Sequence, residues 1–174
     1  DLVGAEVELV SGPTHLQPVH PRIRMTKVES AQQMYDAATR LYPICQAGIL
    51  CAAVADFTPE SVADKKIKRE GNELLLRLKP TQDIAKALGQ QKRNDQRLVG
   101  FALETHDEHQ HAQEKRRKKN FDFIVLNSLN DKGAGFAHDT NKVTLIGMKD
   151  EKHYDLKSKR EVARDIVNEL VNVL

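Results

Sequence analysis

The sequence predicts an α/β protein, a three-layer α/β/α domain around a mostly parallel sheet with antiparallel hairpin excursions at 66–78 and 142–156. Three observations carry that expectation. Short apolar runs at 47–55, 98–103 and 121–126 alternate with stretches of helical periodicity at 30–42, 81–88 and 158–171. Helix starts are marked by a Ser or Thr followed three residues later by Gln or Glu, at Ser30/Gln33, Thr105/Glu108 and Ser158/Glu161. With 174 residues the chain is long enough for one substantial core, so a single domain over 1–174 is expected.

The elements follow in order. Val7 and Leu9 alternate into a short strand that stops at Ser11-Gly12-Pro13. A proline-rich connection leads to a second short strand at Ile23–Val28. Ala31, Met34, Ala38 and Leu41 recur on one helical face until Tyr42-Pro43. Ala47–Ala55 is continuously apolar, as expected of a strand covered on both sides. Lys66–Glu70 and Glu73–Leu78 flank Gly71-Asn72, the composition of a two-residue hairpin turn. Thr81–Leu88 reads as a short helix with Asp83 in its first turn, where the dipole favours an anion. Leu98–Leu103 is the next buried strand, and a helix ending in the basic run 115–119 follows. Phe121–Leu126 is a further strand, Lys142–Gly147 and His153–Leu156 pair as a hairpin, and Val162, Ile166 and Leu170 stripe the last helix. Helix followed by buried strand is half of a βαβ unit, and the order as a whole is Rossmann-like.

Composition narrows the functional classes. Net charge is +2 and aromatics make up 5% with no tryptophan, so neither the field nor the stacking surface of a nucleic-acid binder is supplied. The basic residues are local instead, at 65–69 and 115–119, as in a pocket that receives a polyanion. No apolar run approaches the roughly 18–20 residues that span a bilayer, and no secretory signal is visible, so a cytoplasmic protein is expected. Cys45 and Cys51 read as buried free thiols rather than a disulfide.

In sheets of this kind ligands bind beyond the carboxyl ends of the strands. Three expected strands end in polar residues: Asp56, Glu104-Thr105 and Asn127. An aspartate after a strand is commonly a turn former. Here it is followed by Lys65, Lys66, Lys68 and Arg69, and alternation puts Lys66 and Lys68 on one face, where two ammoniums can meet a triphosphate. The bland alternative is a solvated edge strand protected by lysine. Lys115 and Lys119 are four apart and share a helical face, which serves phosphates or the helix dipole equally well. His106, His109 and His111 invite a zinc reading, but no further Cys or His stands at ligand spacing.

The order AAVADF, KKIKRE, LKPTQDI, VGFALET, EKRRKKNFDFIVLN and GFAHDTNKV resembles phosphopantothenoylcysteine synthetase over nearly the whole chain. The resemblance implies a phosphopantothenate–cysteine ligase of coenzyme A biosynthesis. In such an enzyme CTP and Mg²⁺ activate the carboxylate of 4′-phosphopantothenate as an acyl nucleotidylate, and the amine of cysteine then attacks. By motif, Asp56 holds the nucleotide and Lys66 meets its phosphates as the catalytic cation. Gln82, Asp83, Ile84 and Ala85 of TQDI, Phe101 of GFALET, and Lys115 and Lys119 complete the nucleotide site. Ala52 and Ala53 lie by the activated intermediate, and the metal ligands are unassigned. Glutamine at 82 replaces the family's usual proline. A homodimer is also implied, with FMN only where a decarboxylase domain is fused upstream. The family further carries a glycine-rich loop and an SNHSSGK-like segment ahead of the region matched here. On that basis the 174 residues alone are expected to lack full synthetase activity. The alternative is a non-catalytic nucleotide-binding or regulatory protein on the same fold.

Overall fold

The computed structural model describes residues 4–69, 71, 73–104, 106–128 and 139–174. The chain divides into two compact units: Asp1–Ala37 with Ala52–Asp83, and Ala38–Cys51 with Ile84–Leu174. The division falls within the first helix.

In the first unit, β1 (Val7–Ser11) pairs in parallel with β2 (Ile23–Lys27), Val7 opposite Ile23 and Ser11 opposite Lys27. The helix α1 (Ala31–Leu41) starts as its sequence dictates. Gln33 N donates to Ser30 Oγ at 3.1 Å while Ser30 N donates to Gln33 Oε1, also at 3.1 Å. An antiparallel pair, β4 (Phe57–Pro59) with β5 (Leu78–Pro80), closes the long connection.

That pair corrects the expected hairpin at 66–78. An antiparallel pair is present, but it joins Phe57–Pro59, ahead of the expected segment, to Leu78–Pro80 at its far end, and the described residues between Pro59 and Leu78 form no strand. The physical reason is lack of cover. Leu74, Leu75 and Leu76 are 64%, 90% and 56% exposed, and an isolated hairpin with no apolar face to bury is marginal. Gly71 does adopt the left-handed turn conformation, φ +81°. Asn72 lies outside the described residues, and among the described residues no strand flanks Gly71.

The second unit is built on the five-stranded order β3-β6-β7-β8-β9. Here β3 (Ala47–Leu50), β6 (Arg97–Glu104) and β7 (Phe123–Ser128) run parallel, while β8 (Thr140–Ile146) and β9 (Glu151–Ser158) are antiparallel. The second expected hairpin therefore joins the sheet, which is mixed. Period-two alternation divides its side chains cleanly. Leu98, Ala102, Ile124, Leu126 and Ile146 face Leu88 of α2 (Ile84–Gln91) and Ala112 of α3 (Glu108–Lys118). Val99, Phe123, Val125, Val143 and Leu145 face Val162, Ile166 and Leu170 of α4 (Lys159–Val173). This is the expected three-layer, Rossmann-like α/β/α arrangement.

Three further expectations are corrected. The apolar run 47–55 yields only the four-residue β3, and Cys51, Ala52, Ala53 and Ala55 beyond it are exposed. A continuous apolar run marks cover only where another layer arrives, and β3 pairs on one side only among the described residues. Both cysteines are free, but Cys51 is exposed and Cys45 half-buried, so neither is an interior thiol. The helix expected at 81–88 begins at Ile84, which leaves Asp83 just before the first turn rather than in it. Thr105 lies outside the described residues; α3 starts after Asp107, whose backbone is left-handed and whose side chain makes no cap hydrogen bond.

Two buried polar contacts set the origin of the sheet. Gln96, 1% exposed, donates through Nε2 to the carbonyls of Tyr42 and Cys45 at 2.8 and 2.7 Å. Its Oε1 accepts from Arg93 N at 3.0 Å, so the buried amide is satisfied on both sides. Asp122 Oδ2 accepts from Leu98 N at 2.7 Å and from Lys92 Nζ at 3.0 Å, tying the start of β6 to the corner before β7. Burial also pushes the Tyr42 phenol well above its ordinary range.

Candidate functional site

Within the first unit, the β4–β5 ladder brings two of the expected binding segments together. Thr81 N donates to Asp56 O at 2.9 Å, and Thr81 Oγ1 donates to Ala55 O at 2.7 Å. AVADF and TQDI are thus joined by backbone and side chain at the end of a short antiparallel pair. Asp56, Gln82 and Asp83 are exposed beside that junction, as are Ala52 and Ala53 earlier in the same segment. Lys66 is also exposed, in the irregular stretch between β4 and β5, with Lys65, Lys68 and Arg69 around it. The alternation argument for one-faced ammoniums does not apply there, because no strand forms.

Within the second unit, Ile84 and Ala85 occupy the first turn of α2 and pack on the core that α2 and α3 cover. Lys115 and Lys119, both half-buried, stand at the C-terminal end of α3. Backbone contact unites these two helices. A Cβ on Gly89 of α2 would sit 2.1 Å from the carbonyl oxygen of Lys119, so only glycine permits this approach. Asn120, at φ +55°, turns the corner and donates through Nδ2 to Gly89 O at 2.9 Å. Phe101 does not join them. It packs on the opposite face of the sheet, with the cluster under α4. The sequence could not reveal this, because facing depends on strand register rather than on motif.

Two asparagines add to this, one expected and one not. Asn127 Oδ1, near the end of β7, and Asn141 Oδ1, near the start of β8, are buried without a hydrogen-bond partner. Asn127 lies opposite Val143 in the ladder, so both asparagines occupy the same end of the sheet. A buried acceptor with no donor is costly unless something supplies one. The terminal Asn of FDFIVLN was visible as a polar strand end. Nothing in the spacing marked Asn141.

The histidines do not converge. His109 Nε2 faces Glu151 Oε2 at 2.5 Å, and His153 Nδ1 faces Thr144 Oγ1 at 3.0 Å. Among the described residues no group of three His, Cys, Asp or Glu side chains is arranged to hold a metal ion. A magnesium ion escorting a triphosphate needs few protein ligands, since phosphate oxygens and water fill most of its octahedron, and the exposed Asp56 carboxylate is a hard oxygen donor of suitable kind. No helix among the described residues is long and apolar enough to cross a membrane.

Comparison with known proteins gives this geometry its context. Residues 1–174 match the family described as the DNA/pantothenate metabolism flavoprotein C-terminal domain. A prokaryotic cysteine/cysteine sulfinic acid decarboxylase is 48% identical over 173 residues, which cover 99% of this chain and 48% of that protein. The coenzyme A biosynthesis bifunctional protein CoaBC of Bacillus subtilis (strain 168) is 41% identical over 170 residues, covering 97% of this chain and 41% of that protein. The crystal structure of the C-terminal domain of a CoaBC protein superposes with a TM-score of 0.79 at 37% identity, covering 97% of this chain and 74% of that one. The chain spans about half the length of the curated relatives it matches. In sequence over its full extent and in fold, the chain belongs to the family of the DNA/pantothenate metabolism flavoprotein C-terminal domain, the family to which its ordered motifs point.

Proposed function

We propose that this chain is the phosphopantothenate–cysteine ligase portion of a coenzyme A biosynthesis enzyme, with CTP as the activating nucleotide. The observation that carries the reading is the junction of Asp56 with the TQDI segment through Thr81, which joins two segments assigned to one nucleotide by resemblance. In the reaction, a carboxylate oxygen of 4′-phosphopantothenate attacks the α-phosphorus of CTP and pyrophosphate leaves. The amine of cysteine then attacks the acyl carbon, CMP leaves, and the amine loses its proton. No enzyme nucleophile is needed, since the attacking groups belong to the substrates.

The resemblance assigns the residues their work. Lys66 is assigned to the triphosphate, where a cation offsets the charge that gathers on the departing pyrophosphate, and Lys115 and Lys119 carry the same assignment. Magnesium, travelling with the triphosphate, supplies further charge stabilisation. Asp56, Gln82 and Asp83 hold the nucleotide and Ala52 and Ala53 leave room for the acyl intermediate; the assignment of Ile84, Ala85 and Phe101 to the nucleotide rests on the resemblance, since Phe101 packs on the other face of the sheet from Ile84 and Ala85. Exposed Leu74, Leu75 and Leu76 favour a second copy of the chain as their cover, hence a homodimer. The enzyme is placed in the cytoplasm.

Calorimetry with CTP and with ATP on the full-length protein tests the reading. CTP should bind, and Lys66→Ala and Asp56→Ala should each weaken it by about tenfold or more. Absence of binding by either nucleotide would overturn it. A second reading has its own observation, the decarboxylase name of the 48% identical relative. If this chain serves only as the companion half of a decarboxylase, the full-length protein should release CO₂ from cysteine or its sulfinic acid and leave CTP unbound.

A further inference from the structure

A cleft of about 350 Å³ opens at the carboxyl ends of β1 and β2, wholly within the first unit. Gly12, Thr14 and His15 line it from the end of β1, and Lys27, Val28 and Glu29 from the end of β2. Its position is where parallel strands receive ligands, and none of the motifs discussed above falls in it. Val28, 7% exposed, provides an apolar floor. Thr14 Oγ1 already accepts from Leu16 N at 3.1 Å, which leaves its hydroxyl hydrogen to donate elsewhere.

The charges are the informative part. Lys27 and Glu29 have opposite sign and line the same cleft, yet neither forms an ion pair with the other or with any other described residue. A plain anion such as phosphate would meet Lys27 but be repelled by Glu29. A plain amine would meet Glu29 but be repelled by Lys27. A small molecule that carries both charges a few bonds apart satisfies both groups at once.

We propose that this cleft binds a small free α-amino acid, its carboxylate held by Lys27 and the Thr14 hydroxyl and its ammonium by Glu29. The identity of that amino acid rests on the ligase reading, whose amine substrate is cysteine. The two-charge recognition itself rests only on the cleft.

The test is titration of the ¹⁵N-labelled protein with L-cysteine under reducing conditions, and with L-serine as a thiol-free counterpart, read by amide chemical shifts. Saturable shifts should appear at residues 12, 14–15 and 27–29. Affinity should fall about tenfold or more in Lys27→Ala and in Glu29→Gln. A similar loss is expected for cysteamine, which lacks the carboxylate, and for 3-mercaptopropionate, which lacks the ammonium. Lys27→Arg should retain binding, and the same spectra report whether each variant is folded. The proposal is overturned by silence at those residues, by unchanged affinity in both variants, or by inorganic phosphate binding the cleft as well as cysteine does. The two readings separate. CTP bound with the cleft silent removes the amino-acid site and leaves the ligase, whereas cysteine bound in the cleft with no nucleotide bound removes the ligase and leaves the site.

Discussion

Leu98 and Ile124 of the five-stranded sheet are fully buried, while Leu74, Leu75 and Leu76 between β4 and β5 stand 64%, 90% and 56% exposed. The residues are alike in hydrophobicity and differ in what covers them. In the sheet unit, helices on both faces turn apolar side chains into stability. In the β4–β5 segment, side chains of the same kind stand exposed, with no described layer covering them. The first arrangement builds a scaffold. The second leaves an exposed apolar surface, the one to which the proposed function assigns a second copy of the chain.

The sharpest way to break that contrast is to attack the scaffold. Ile124→Ala removes a fully buried side chain from the core that α2 and α3 cover, and should cost about 2–5 kcal/mol in urea or thermal unfolding. Gly100→Ala should cost about 1–3 kcal/mol, because its new Cβ would lie 2.1 Å from the ring of Phe121. Pairing it with Phe121→Leu should recover part of the loss, and a purely additive double variant would show that ring contact is not the cause.

Smaller effects lie at the edges. Ser158→Ala removes a complete capping box from α4 and should cost about 1 kcal/mol. Its pH dependence has a definite sign. The hydrogen bond from Ser158 holds the Glu161 carboxyl below its usual range, so the stabilisation is fully present above the unfolded value of about 4.3 and lost as pH falls through the lower folded value. The gap between wild type and Ser158→Ala should be constant near neutrality and narrow in acid. Leu75→Ser should change monomer stability least, by under about 0.5 kcal/mol, while weakening self-association measured by sedimentation. A drop of several kcal/mol at Leu75 would mean that the two regions are not different in kind.

How far the sequence carries follows from the same physics. The boxes at Ser30/Gln33 and Ser158/Glu161 were legible because capping is settled within four residues. The strands β6 and β7 were legible because a short apolar run bounded by polar residues needs no partner to be read. The end of β3 and the strands about Gly71 were not, since both depend on whether another layer arrives. For the candidate site, the pairing of AVADF with TQDI came from the order of motifs, and the structure supplies the contact through Thr81. The separation of Phe101 from Ile84 and Ala85, and the unpaired Oδ1 atoms of Asn127 and Asn141, are consequences of register that no linear spacing encodes.

The two basic runs also predict where a protease would cut. Lys65, Lys66, Lys68 and Arg69 offer trypsin an exposed backbone without regular structure, whereas residues 115–118 are wound into α3. Brief digestion should therefore sever the chain first near 65–69, although the second run is at least as rich in cleavable residues. Nucleotide that engages Lys66 would slow that first cut, which makes the nicking rate a simple report on occupancy of the site.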